Sequence, residues 1–392
     1  MTAALPDVMN LSGRGTPVTV QDMLDRDKLI SVDRGRELLS TTEPLAWVDF
    51  ETGSSIRFRL EDEWNRDLSD KHGTDPVDAW VNIQQGQNDS TEYQLTKDAV
   101  ISATGACGMG KAYVAKAPGF LTADALNYWY RGGMDKGCRL MVVGADQLGA
   151  AITRESVVPF SNLQLLEQAI TRIEARHPGM PVYLDASKMA HSLRQTYIQL
   201  VIPDLARQMT NTGEDNDQWW GGLQVTNSQT ADVQTQISGF LYRMLCTNGM
   251  IDVAANADSW NRRSGGSNEE EVYAWAADAV DAVLGGLEHS FESVQALVNI
   301  PLEGEIGATA RDVFDQYRVP VRARERIINE LVETNNLTMY GLVNAITAGA
   351  NGDVPTNEQQ HLMSVGGDVV HHTDRCDSCR RILPEGLVPS GN

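Results

Sequence analysis

The sequence predicts an α+β protein, with an antiparallel sheet and flanking helices, a helical C-terminal half and a small C-terminal tail module. Segments with the alternating pattern of β-strands are concentrated before residue 264, and helical periods dominate from there to residue 350. Strands and helices are therefore segregated rather than alternating, which is typical of α+β folds. Of the 392 residues, 42% are hydrophobic and 22% charged, so a sizeable buried core is feasible.

Composition along the chain divides the protein into four regions. The first 40 residues are polar and interrupted by glycine and proline, which predicts a loosely attached arm with a short helix over 20–39. We expect the regions to be an N-terminal arm (1–40), an α+β core domain (41–263), a helical region (264–350), and a linker with a zinc tail (351–392).

Local periods predict the individual elements. Alternation about a Thr-Gly-Ser-Ser turn predicts a hairpin over 46–60, and the polar residues 61–92 are predicted to be loops. Predicted strands are 139–143, 150–153, 182–184, 197–202 and 223–227. Predicted helices begin at Leu95 and after Pro118 and continue with 163–173, 233–246, 269–284, 287–299, 308–317, 321–334 and 337–348, before a connector at 349–357.

Net charge restricts the partners of the protein. A formal charge of −21 opposes nonspecific attraction to nucleic acid and to anionic lipid, so a nucleic-acid site requires a local basic patch or a groove made by oligomerisation. The N-terminus lacks the pattern of a signal peptide, and no apolar run is long enough to cross a bilayer. We therefore expect a cytoplasmic protein of the host cell without a membrane partner. Five sparse cysteines argue against a secreted disulfide scaffold.

Several segments together carry a resemblance to a known family. They are YQLTKDAV (93–100), GMGKAY (108–113), LNYW (126–129), GGLQVTNS (221–228) and LYRMLCTNGM (241–250). These segments resemble the phage and plasmid-like family called domain of unknown function number 932, over about residues 93–254. This resemblance implies a bacteriophage or prophage origin and a role in DNA processing, with strand annealing as one form of it. Members often continue with a basic segment that contains histidine, whereas Trp260-Asn-Arg-Arg-Ser264 has none.

Residues 105–112 match a phosphate-binding loop at every position except the last. That position needs a hydroxyl to hold Mg²⁺, and here it is Ala112. A phosphate loop also follows a strand, whereas the preceding residues have a helical period. We therefore interpret the glycines as the end of a helix.

The tail contains candidate metal ligands. A Cys-x-x-Cys turn directs two thiolates at one point, and Zn²⁺ prefers four such ligands in a tetrahedron. The proposed structural zinc ligands are His371, His372, Cys376 and Cys379. Two alternatives remain, a disordered tail with a chance Cys-x-x-Cys and a redox-active pair.

Two arginine-rich segments are candidates for nucleic-acid contacts, with a tryptophan beside one of them for base stacking. In the alternative interpretation the second segment is the solvated face of an amphipathic helix, where carboxylates pair with the arginines. The candidates are Trp260, Arg262 and Arg263 in the first segment and Arg318, Arg322 and Arg324 in the second.

The leading hypothesis is a non-enzymatic phage protein that binds or anneals single-stranded DNA as a homo-oligomer. A second is an interaction or virion-associated protein whose helical half and metal-binding tail dock a phage or host protein. A third is an enzyme with an unrecognised site, since no catalytic triad or carboxylate pair has a recognisable spacing.

Overall fold

A computed structural model gives the arrangement of the chain. It describes residues 19–375 apart from 42, 51–55, 66–74, 85–88, 133–136, 145, 155–156, 158–159, 187–189, 192–194, 216, 230–233, 245–247, 253–260, 263–268, 303–305 and 352–353. No helix in these ranges is both long and apolar enough to cross a membrane.

Helices and strands are numbered separately in chain order. The helices are α1 (Val20–Asp25), α2 (Val32–Ser40), α3 (Lys97–Ala106), α4 (Lys111–Val114), α5 (Gly119–Gly132), α6 (Asn162–Arg176), α7 (Glu269–Leu297), α8 (Ile306–Gln316), α9 (Val321–Thr334), α10 (Met339–Ala348) and α11 (Thr356–Arg375). The strands are β1 (Leu29–Ser31), β2 (Ala46–Phe50), β3 (Ile56–Leu60), β4 (Pro76–Gln84), β5 (Ser90–Thr96), β6 (Cys138–Val143), β7 (Leu148–Arg154), β8 (Tyr183–Asp185), β9 (Ala190–His191), β10 (Thr196–Gln208), β11 (Gln218–Asn227), β12 (Thr235–Arg243), β13 (Asn248–Asp252) and β14 (Asn261–Arg262).

The first sheet is antiparallel and has the strand order β1-β8-β10-β11-β12-β13, with β9 and β14 paired at its sides. Helix α7 packs on one face, where Leu287 lies close to Gly221. Helix α11 packs on the opposite face, where the Gln224 amide donates to Gln360 Oε1 at 2.9 Å. The sheet is therefore covered on both sides, and one large hydrophobic core includes it and most of the C-terminal helices.

The second sheet has the order β2-β6-β7-β5-β4-β3 and is mixed, because β5 runs parallel to β7 while the other pairs are antiparallel. Alternate residues of β3 and β4 point into a separate core with α3 and α5. Together the two sheets confirm the predicted α+β class, with helices concentrated in the C-terminal half.

The described part of the predicted arm packs against the first sheet. Strand β1 pairs with β8, and Leu29 and Leu39 are buried in the first core. The cores also divide the predicted 41–263 region, since residues 46–154 form the second sheet and later residues the first. The four-region division stays a prediction.

Five predictions of local structure are wrong. Residues 235–243 are strand β12 rather than a helix, and the predicted loops of 61–92 contain β4. The expected hairpin is absent because β2 and β3 lie at opposite edges of the second sheet. Helix α11 lies in the predicted linker, and α7 continues through Gly285-Gly286, where a break was expected.

Candidate nucleic-acid interface

The end of α3 is a glycine-terminated helix, as the sequence predicts. Gly108 has a φ of +74°, a conformation that glycine adopts readily. The Met109 amide donates to Thr104 O at 3.0 Å and the Gly108 amide donates to Gly105 O at 2.9 Å. This is the pair of bonds of a Schellman motif, which satisfies the last carbonyls of the helix. These backbone amides are therefore used within the turn rather than offered to a phosphate.

Helix α5 lies along the free edge of β3. The Asn127 side chain accepts from the Phe58 amide at 2.8 Å and donates to Phe58 O at 2.9 Å, so it takes the place of a neighbouring strand. One turn later Arg131 Nε donates to Ile56 O at 3.3 Å. At the start of the helix a Cβ on Gly119 would lie 1.9 Å from Glu61 O, so only glycine permits this approach. Helix α5 is therefore fixed to the sheet by its inner side.

The outer side of α5 carries large apolar side chains in contact with solvent. Tyr128 is 73% exposed and Trp129 is 40% exposed. Their ring centroids lie 6.0 Å apart in an edge-to-face arrangement. Phe120 and Leu121 are exposed at the first turn. We call these four residues the α5 aromatic face. Contiguous exposed apolar surface of this kind marks interaction sites in soluble proteins.

Unpaired cations lie next to this face in the sequence and in the fold. Lys116 is exposed just before α5, and Arg57 is exposed on the strand that α5 borders. Within the described part of the chain neither side chain forms an ion pair, and Arg131 bonds only to a backbone carbonyl. Residues 108–132 contain three cations (Lys111, Lys116 and Arg131) and one anion (Asp124), a local charge of +2 in a chain of −21.

The predicted cluster on α9 has a different electrostatic environment. Arg322 pairs with Glu358, and Arg324 Nη1 lies 2.7 Å from Asp315 Oδ1. Arg326 also contacts Glu358 at 3.4 Å. Arg318 is exposed, and its carbonyl contacts His361 Nε2 at 3.3 Å. Arg322 and Arg324 each have a carboxylate partner, although Arg322 shares Glu358 with Arg326, so these two guanidinium groups are less available to a phosphate than a cation without such a partner.

The other sequence-predicted residues fall largely outside the described part. Trp260 and Arg263 lie outside it, and Arg262 belongs to β14, where only its backbone pairing with Thr235 is defined. His371 and His372 lie near the end of α11, whereas Cys376 and Cys379 lie beyond the described residues. The described residues contain no group of three or more His, Cys, Asp or Glu side chains placed to hold a metal ion. The zinc tail stays a prediction.

Comparison of the chain with protein-family models, with curated proteins and with solved structures finds no match. The family resemblance therefore remains a prediction from the quoted segments.

Sequence reasoning missed the α5 aromatic face, although the sequence contains a signal for it. The buried positions Thr122, Ala123, Leu126 and Tyr130 already complete the apolar side of this helix. Large apolar residues at other positions of the helix, such as Tyr128 and Trp129, must then face solvent.

Proposed function

We propose that the protein is a non-enzymatic phage protein that binds single-stranded DNA through the α5 aromatic face and its neighbouring cations. The observation that carries the proposal is the combination of exposed Tyr128 and Trp129 with cations that have no carboxylate partner among the described residues. Every DNA base has a π-face, so exposed aromatic rings bind single strands with little sequence preference. Cations beside the rings contact the phosphates.

The α5 face supports this function better than the arginines of α9. Several described arginines elsewhere in the chain are paired with carboxylates, for example Arg139 with Asp49 and Arg207 with Glu288. Lys116 and Arg57 form no such pair within the described ranges. Attraction to a polyanion therefore depends on a small local patch within an acidic protein, and one copy is expected to bind weakly. Several copies on one strand would bind more tightly through multivalency.

The salt dependence of binding follows from the number of phosphates contacted. If Lys116, Arg57 and Arg131 each contact one phosphate, log K should fall with log salt with a slope of about −2, since single strands contribute about −0.7 per contact. Fluorescence anisotropy with a labelled oligothymidylate across a salt series measures this slope. No binding at low salt would refute the proposal.

Paired variants locate the binding surface. Tyr128→Ala together with Trp129→Ala should weaken binding by at least about tenfold, because stacking contributes roughly 1–3 kcal/mol per base. Val321→Ala with Val332→Ala is the matched control, since both valines are exposed on α9 away from this face. Equal affinity of the two double variants would contradict the assignment. The hypothesis of an interaction or virion-associated protein would then be the remaining explanation for the exposed aromatic rings.

A further inference from the structure

The edge strands of the described part are β1, β9, β13 and β14 in the first sheet and β2 and β3 in the second, and all of them except β2 are packed against a helix or are only two or three residues long. Helix α5 bonds to the free groups of β3 through Asn127 and Arg131. Helix α11 packs along β13, and β1 is only three residues long. Covering helices and short edge strands are the usual means by which proteins prevent pairing between sheets.

Among the described residues, strand β2 is the edge without such cover. It pairs with β6 on one side, and no described residue bonds to its other side. Leu45, directly before the strand, is 63% exposed, and Ala46 is exposed as well. A strand edge with unused backbone groups and adjacent apolar surface is a template for an added strand.

The residues of β2 are self-complementary in one antiparallel register. A two-fold axis at Val48 places Val48 opposite itself and Ala46 opposite Phe50, which brings apolar residues together on one face. On the other face it places Trp47 of each copy opposite Asp49 of the other. A two-fold axis at Asp49 would instead place the Asp49 carboxylates of the two copies directly opposite each other, which is destabilising. A shift by one residue would place core-facing side chains opposite solvent-facing ones.

We infer that two copies of this chain associate through β2, pairing antiparallel about Val48 and joining their six-stranded sheets into one continuous sheet. Such an interface is isologous, so it closes after two copies and leaves no further edge at β2. The α5 aromatic face borders the opposite edge of the sheet and stays accessible in the dimer. This inference does not depend on the proposed function.

Sedimentation equilibrium of the full chain at micromolar concentration tests the inference. The expected mass is twice the 43.0 kDa of one chain. Val48→Lys places the two added cations directly opposite each other on the two-fold axis, where like charges are destabilising, and this variant should sediment as a single chain. Val321→Lys carries the same charge change on an exposed helix and should remain dimeric. Circular dichroism verifies that both variants are folded.

Hydrogen exchange distinguishes association through β2 from a change in overall stability, because only association protects β2 selectively. Amides on the outer edge of β2 should become more protected as the protein concentration rises, while amides of β3 should not change. A wild-type mass of one chain would overturn the inference. A Val48→Lys variant that remains dimeric would overturn it too, and so would exchange in 46–50 that is independent of concentration.

Discussion

A buried ion pair at the end of the first sheet is the interaction whose removal should cost the most stability. Asp217 directly precedes β11 and Arg243 ends the neighbouring strand β12, and their side chains are 0% and 7% exposed. Two parallel bonds join them, Nε to Oδ1 at 2.8 Å and Nη2 to Oδ2 at 2.7 Å. The Tyr340 hydroxyl donates to Asp217 Oδ2 at 2.5 Å and accepts from Trp219 Nε1 at 3.0 Å. The network therefore fixes α10 against β11 and β12.

The substitution Asp217→Ala removes the carboxylate that forms two bonds with the buried Arg243 guanidinium. Loss of one member of a buried pair costs about 3–5 kcal/mol of unfolding free energy, because the remaining charge stays desolvated. Replacing both residues, as in Asp217→Leu with Arg243→Met, removes that charge and should cost much less. Tyr340→Phe should cost about 1–3 kcal/mol through the unsatisfied groups it leaves.

Urea unfolding of the wild type and the three variants measures these differences from the shift of the midpoint. The single Asp217→Ala variant should be the least stable of the four proteins. A loss below about 1 kcal/mol for this variant would refute the reasoning, since that is the magnitude of an exposed pair. A double variant as unstable as Asp217→Ala would refute it as well, because the cost would then lie in packing rather than in the unpaired charge.

Three further predictions concern separate parts of the molecule. The substitution Asn127→Ala should lower the free energy of unfolding by about 1–3 kcal/mol and speed hydrogen exchange at the Phe58 amide, because the edge of β3 loses its partner. Unchanged exchange at this amide would contradict the role of α5. Burial raises the pKa of Asp368 above 3.8, although nearby histidines oppose the shift, so the folded state holds this proton to higher pH than the unfolded state. The contribution of this group to stability therefore falls as the pH rises from its unfolded-state pKa through its higher folded-state pKa. The melting temperature of Asp368→Asn should exceed that of the wild type at neutral pH but not at acidic pH. Arg322→Ala with Arg324→Ala should leave DNA affinity unchanged in anisotropy, since both guanidinium groups are paired with carboxylates; a large loss would return the site to α9.

The α+β class and most C-terminal helices could be predicted from the sequence because one face of each helix is buried and the other solvated. Strand β12 could not, because nearly all of its residues are buried and alternation disappears. Its apolar residues Ile237, Phe240 and Leu241 instead recur at helical spacing. Periodicity cannot separate a buried strand from a helix of this length.

Strand pairing and the candidate site depend on contacts distant in sequence. The sequence predicts both β2 and β3, and the turn between them predicts that they pair as a hairpin. In the fold, β2 pairs with β6 and β3 pairs with β4 instead. Arginines close together in sequence suggested a basic patch, yet Glu358 approaches α9 from a different helix. A charge count along the chain does not include such a partner.

Photocrosslinking of oligothymidylate to the full chain, followed by mass spectrometry of the crosslinked peptides, tests the assigned DNA-binding surface most directly. Crosslinks are predicted within residues 113–131, at Tyr128 and Trp129 above all. Crosslinks confined to 318–326 or to 260–263, with none in α5, would contradict the account.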